Sequence, residues 1–336
     1  LKFVAGAAVI ALIGGVLATA RVLESDPATV PGAPLETELV ATSQWETRGD
    51  PDNPLLFGNS IEVAPDGNIW VLDARGGFQI IAPDGSFVES WGSPGSGEGE
   101  LDFDREIDSL YYGDISFAPD GSFYVAESGN HRVSKFDADR EFVMSWVGKG
   151  TEDGQFIDVT DLTVAPDGHV YVMDDERYDV QVFDPDGRFL FKFAGEGTEP
   201  HNLKDPGPLD VDIDGTVHVA DWGNSRIVKY SARGEYMREW GEPGWDEDPY
   251  ALMNPHGVDV GPDGRVYVAD MRNNRSKVFE RDGTYVATLG GEYGSDLYVD
   301  KPVGVGVAED GSVYVMQYNE KSLEKMHVEE IPARGE

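Results

Sequence analysis

The chain has no cysteine, which excludes disulfide cross-links, thiolate metal ligands and thiol nucleophiles, and leaves the redox compartment unmarked. Positive charge is scarce: 26 Lys and Arg stand against 63 Asp and Glu, a formal net charge of -37. A surface of that sign repels phosphate backbones, so nucleic acid is excluded as a partner. Cations, basic protein surfaces and a saline or extracytoplasmic medium suit it. No Gly-x-Ser-x-Gly elbow, phosphate-binding loop or His-Glu-x-x-His helix occurs, so no nucleophile announces itself.

Long apolar runs are missing as well, with one exception near the start. Phe3 to Ala20 carries no charge and lies between Lys2 and Arg21. As a helix these residues span about 27 Å, close to the roughly 30 Å hydrocarbon core of a bilayer. Gly6, Gly14 and Gly15 are tolerated in such a helix and would let a neighbouring helix approach. The preferred expectation is one transmembrane anchor at residues 1–22, followed by a Pro-rich tether at 23–37 that includes Pro27, Pro31 and Pro34. Residues 38–336 then form the folded domain, and residues 3–20 meet the membrane. A cleavable leader is the rival reading, because Ala18-Thr19-Ala20 has the small-x-small form. One flanking lysine and one arginine give little topological bias. The acidic body is expected on the extracytoplasmic side, periplasmic or extracellular.

Beyond residue 38 one turn keeps returning. Pro65-Asp66-Gly67, Pro119-Asp120-Gly121, Pro166-Asp167-Gly168, Ile213-Asp214-Gly215, Pro262-Asp263-Gly264 and Glu309-Asp310-Gly311 place their glycines 54, 47, 47, 49 and 47 residues apart. Asp-Gly between alternating apolar runs is a hairpin signal, because glycine accepts the positive φ of a tight turn. A fixed period of this length means an array of small sheets. Each unit reads as four strands: a short inner strand a such as Ile115-Ser116-Phe117, then b such as Phe123-Tyr124-Val125-Ala126, then c such as Arg132 to Phe136, and d ending in a large apolar residue such as Trp91 or Trp240. Six such units make an all-β, six-bladed β-propeller of four-stranded blades. The sixth unit lacks a d strand, and Leu39 to Trp45 resembles one, so the N-terminal strand is expected to close the ring.

Ser122 to Val133, with its Glu127-Ser128-Gly129-Asn130-His131-Arg132 core, resembles an NHL repeat. Val219 to Ile227 is a second copy, and Asn254 to Val258 followed by Val268-Ala269-Asp270 a third. The resemblance runs over roughly Leu39 to Val328; blades one, three and six depart from it at Gly77-Phe78, Tyr178-Asp179 and Lys321-Ser322. It is similar also to amidating-lyase propellers, and that likeness implies a channel zinc held by histidines at the entrance of strand a. Here only His256 stands at that entrance, while Asn59, Gly113, Thr160, Gly207 and Val303 fill the other places. Three-histidine zinc is therefore not expected.

Repeated residues point to structure. The acid after strand b (Asp73, Glu127, Asp174, Asp221, Asp270, with Gln317 in the sixth unit) and the arginines Arg132, Arg226 and Arg275 are expected to satisfy buried polar groups in each blade. Function is sought where the repeat varies. The loops from d to the next a share a face with the b–c loops, opposite the Asp-Gly turns. Tyr111, Tyr112, Trp222, Trp245 and Tyr250 on that face combine with carboxylates and suit partner recognition. Glu62, Asp210 and Asp259 share one position on strand a, and Asp114 and Asp161 lie two residues before it on theirs. These five carboxylates around one axis are possible ligands for calcium; water filling the channel would serve them equally. The expected function is a membrane-anchored, extracytoplasmic propeller serving as a protein-binding or scaffold subunit, with other membrane or extracytoplasmic proteins as partners. The alternative is a metal-dependent lyase or hydrolase of the amidating-lyase type, working in the channel at His256 with Asp161 or Asp114.

Overall fold

A computed structural model describes residues 37–56, 60–73, 75–103, 113–245, 248–291, 293–295 and 297–332. The expected anchor and most of the tether, with Tyr111 and Tyr112, lie outside these residues. Among the described residues no helix is long and apolar enough to cross a membrane.

Six antiparallel sheets of four strands stand in a ring. Five are built from consecutive strands; blade one, for example, runs Ile61–Val63, Ile69–Asp73, Gly77–Ile81 and Phe87–Trp91. The sixth takes its inner three strands from Pro302–Val307, Ser312–Gln317 and Ser322–Pro332, and its outer strand is Thr37–Thr47. The N-terminal strand thus closes the ring as expected. Its pairing with Ser322–Pro332 continues past the blade, to Thr37 opposite Pro332. Arg265, next to the blade-five turn glycine, bonds Glu330 and holds the far end of this ribbon beside that turn.

The Asp-Gly turns work as their chemistry requires. The six glycines have φ between 79° and 86°, a region open to glycine at no steric cost. In every turn the aspartate accepts the backbone N–H two residues on, as Asp120 does from Ser122 at 3.0 Å and Asp263 from Arg265 at 3.0 Å.

The core lies between blades. Trp70, Phe78 and Ile80 of blade one pack with Ile115, Phe123, Val125 and Phe136 of blade two, and the same seam recurs around the ring. Each d–a loop plugs its seam with an apolar side chain: Leu55, Leu101, Phe156, Leu203, Leu252 and Leu297 are buried. Burying one such side chain contributes about 1.5–3 kcal/mol.

A cation then clamps the loop that carries the plug. In blade two Arg132 Nε meets Glu127 Oε1 at 2.8 Å, while its other nitrogens donate to the carbonyls of Ser96, Gly97 and Glu100. Arg226 repeats this with Asp221, Glu199 O and Asn202 O. Blades one and three, which depart from the repeat, supply the clamp from the loop itself: Arg75 reaches Asn53 O and Pro54 O, and Arg177 reaches Glu152 O and Gln155 O. In blade five Lys277 takes the role, donating to Asp248 O, Pro249 O and Ala251 O; Arg275 Nε turns to Asn273 O. The acids after strand b also accept loop N–H groups, Asp174 from Ile157 and Asp158, Asp221 from Lys204 and Asp270 from Met253.

Candidate functional site

The inner strands leave one backbone edge facing the axis, and unpaired N–H groups there need acceptors. The channel side chains provide them, each reaching to the next blade. Asp114 accepts from Leu162 N at 3.3 Å, Asp161 from Leu209 N at 2.8 Å, Asp210 from Val260 N at 2.8 Å and Asp259 from Val307 N at 2.6 Å. Glu62 accepts from Phe117 N at 3.5 Å, and Ser116 Oγ from Val164 N at 3.1 Å. Hydroxyls add Ser60 Oγ to Asp114 at 2.5 Å and Thr163 Oγ1 to Asp210 at 2.9 Å.

All five carboxylates singled out from the sequence therefore do line one cavity, with about 50 Å³ of room for the centres of water molecules. Burial raises every one of them. Asp114 is pushed up to about 7 by loss of solvent. Glu62, Asp161 and Asp259 rise well above the usual carboxylate range, first through burial and then through the neighbouring acids. Asp210 also rises through burial. Asp114 and Asp161 act on one another, as do Asp210 and Asp259, which adds to the rise of Asp161 and Asp259. Among the described residues no group of three or more His, Asp and Glu is arranged to hold a metal ion. As they stand, these acids latch blade to blade.

The mouth of the channel is built differently. Strand a carries a β-bulge in blades three to six, at Val159/Asp161, Pro206/Leu209, Pro255/Gly257 and Pro302/Gly304. A bulge leaves one residue outside the ladder and re-aims its side chain. Thr160, Gly207, His256 and Val303 are among the residues so released. Gly257 and Gly304 follow because the inner strands of blades five and six nearly touch: a Cβ on Gly257 would lie 3.0 Å from Gly304 Cα.

His256 is 3 % exposed. Its Nδ1 lies 3.1 Å from Val303 O, and a carbonyl only accepts, so Nδ1 carries the proton and Nε2 bears a bare lone pair. Nε2 has no partner, and neither does Thr160 Oγ1. Burial lowers His256 to about 4, so the ring is neutral at physiological pH. The Trp222 ring stands 5.3 Å from it, centroid to centroid. His256, Thr160, Asp161 and Trp222 line a second, smaller cavity of about 20 Å³. It shares Asp161 and Pro208 with the acid-lined one below.

The other recognition residues spread over the loop face. Trp245 is 67 % exposed. Tyr250 is tied down, its ring near Phe279 and Tyr285 and its hydroxyl accepting Tyr285 N at 3.4 Å. Tyr293, which the sequence reading passed over, is 88 % exposed and stands edge-on to Tyr298. Its signal was there: Gly290 to Lys301 is a d–a loop with two tyrosines.

Ring, repeat and channel define the class: a six-bladed β-propeller that carries NHL repeats. The NHL repeat model matches residues 113–136 and 252–279, in blades two and five. No curated protein sequence matches the chain. Among solved structures, a streptogramin B lyase is 12 % identical with a TM-score of 0.57, covering 88 % of this chain and 98 % of its own. A gluconolactonase from Xanthomonas campestris is 14 % identical with a TM-score of 0.60, covering 87 % and 90 %. An auxiliary nutrient binding protein from Bacteroides thetaiotaomicron is 12 % identical with a TM-score of 0.60, covering 88 % and 77 %. At such identities the likeness is one of fold, and a single propeller hosts lyase, lactonase and binding proteins.

Proposed function

We propose that this NHL-repeat propeller is a binding subunit that meets its partner on the loop face, held near a membrane by residues 3–20. The observation that carries the reading is the exposure of Trp245 and Tyr293, 67 % and 88 %, on loops that also carry the buried Leu252 and Leu297, the first loop held as well by Lys277. Large aromatics on a rigid support are the usual anchors of protein recognition. The ribbon that leads from the tether is pinned beside the blade-five turns, which leaves the loop face free to turn away from the bilayer. The test is chemical cross-linking after gentle detergent extraction. Trp245→Ala with Tyr293→Ala is expected to abolish a specific cross-linked species. The reading fails if the double variant cross-links as the parent does, or if the parent is monomeric with no partner.

A second reading, the metal-dependent lyase or hydrolase, is favoured by His256 alone: a buried, neutral imidazole with a bare Nε2 beside Asp161. Stoichiometric zinc in purified protein, lost on His256→Ala, would support it over the first.

A further inference from the structure

We propose that the mouth of the central channel is a receptor for one primary ammonium group, seated between Trp222, His256 and Thr160 and directed toward Asp161. The inference rests on the loop-face reading and names the chemistry its centre recognises.

Two buried side-chain atoms at this cavity, His256 Nε2 and Thr160 Oγ1, can accept and have no partner. Nε2 of His256 is bare, because Nδ1–H is spent on Val303 O; Thr160 Oγ1 has two lone pairs and no partner. Both residues are more than nine-tenths buried, at 3 % and 6 % exposed. Buried acceptors without donors are costly, about 1–3 kcal/mol each, so the site favours whatever brings donors. Asp161 adds a carboxyl group, whose ionised form a seated cation would favour, and Trp222 an aromatic face, which attracts cations. Below lie four more carboxylates, and among the described residues neither cavity is lined by lysine or arginine. Among the described lining residues no cation competes for the seat.

Size narrows the choice. About 20 Å³ of room for a water-sized centre admits one ammonium head, which is water-sized and carries three donors. A guanidinium has three nitrogens in a rigid plane and exceeds it. The net charge of -37 concentrates cations around the molecule.

The test is calorimetric titration of the purified chain with n-butylammonium, n-butanol and n-butylguanidinium, followed in parallel by indole fluorescence. Butylammonium is expected to bind one site per chain in the millimolar range, with the other two about tenfold weaker or more. Thr160→Val, nearly isosteric, and Asp161→Asn are each expected to weaken it about tenfold; unchanged circular dichroism melts confirm that both variants fold. A blocked Gly-Lys-Gly peptide separates the sources. Tighter binding than butylammonium assigns the seat to a partner's lysine, and equal or weaker binding assigns it to a small amine. No saturable binding by either, equal binding of butylguanidinium, or unchanged affinity in both variants overturns the inference. None of those results touches the Trp245 and Tyr293 cross-linking outcome, so the broader reading stands or falls separately.

Discussion

Replacing Arg132 by methionine tests whether the clamps hold the loop face in place. The guanidinium is almost wholly buried and makes four bonds, one to Glu127 and three to the carbonyls of Ser96, Gly97 and Glu100. Removing one partner of a buried ion pair typically costs about 3–5 kcal/mol, because the other charge is stranded. Glu127 keeps Asn130 Nδ2, Asp102 N and Ser134 Oγ as donors, and the released carbonyls lie in a loop that water reaches. The low end, about 3 kcal/mol, therefore applies. A propeller of roughly 300 residues unfolds with an entropy of about 0.6 kcal/mol/K, so the melting temperature should fall by about 5 °C. Arg48→Ala is the control: its pair with Glu320 is 60 % and 52 % exposed and contributes about 0–1 kcal/mol. Differential scanning calorimetry measures both, and hydrogen exchange should rise in residues 93–101 of the Arg132 variant alone. Melting of Arg132→Met within about 2 °C of the parent, or no lower than Arg48→Ala, would refute the reasoning.

The buried acids should make stability fall as pH rises from about 4 to about 8. Asp114 near 7, Glu324 near 7 and Asp175 near 8 are raised by burial, so their contribution is full below the ordinary carboxylate range and is lost as pH climbs through those values. His218 and His256, lowered by burial to about 3 and about 4, act oppositely: their contribution is full above about 6.5 and is lost as pH falls below it. Asp114→Asn should flatten the slope between about pH 4 and 7 in a series of melts, and an unchanged slope there would contradict the assignment. At the end of strand d, two residues in the same place should respond with opposite signs in urea denaturation. Ala194 holds φ 68° where blades one, four and five have Gly92, Gly241 and Gly290, so Ala194→Gly should be neutral or stabilise by up to about 1 kcal/mol. Gly241→Ala should destabilise by about 2 kcal/mol or more, since its Cβ would lie 2.6 Å from Leu252 Cδ1 at φ 95°.

The ring was legible because its signal is local and repeated: six Asp-Gly turns, each with its alternating flanks, need no long-range information. The closing strand was legible for the same reason, as Leu39 to Trp45 reads like Tyr285 to Leu289. The role of the channel acids was half legible. Their position on strand a follows from period two, and all five do line one cavity. That each accepts an N–H from the next blade depends on packing between blades, which no single repeat encodes. Arg75 and Arg177 were illegible as clamps because they sit in the loop, off the position that Arg132 and Arg226 define. The mouth was the least legible part. Its bulges shift Thr160 and His256 out of the strand period, and nothing in composition marks a bulge in advance. Trp222, which the sequence marks for partner recognition, has its ring 5.3 Å from that of His256.

The account's central claim is that binding belongs to the loop face, and site-specific photo-cross-linking tests it most directly. A photoreactive residue placed at 245 or 293 is compared with one at 120 or 214, in the Asp-Gly turns, with the full chain in native membranes. The account predicts a partner adduct from 245 and 293 that is absent from 120 and 214. Adducts from the turn positions, with none from the loops, would contradict it.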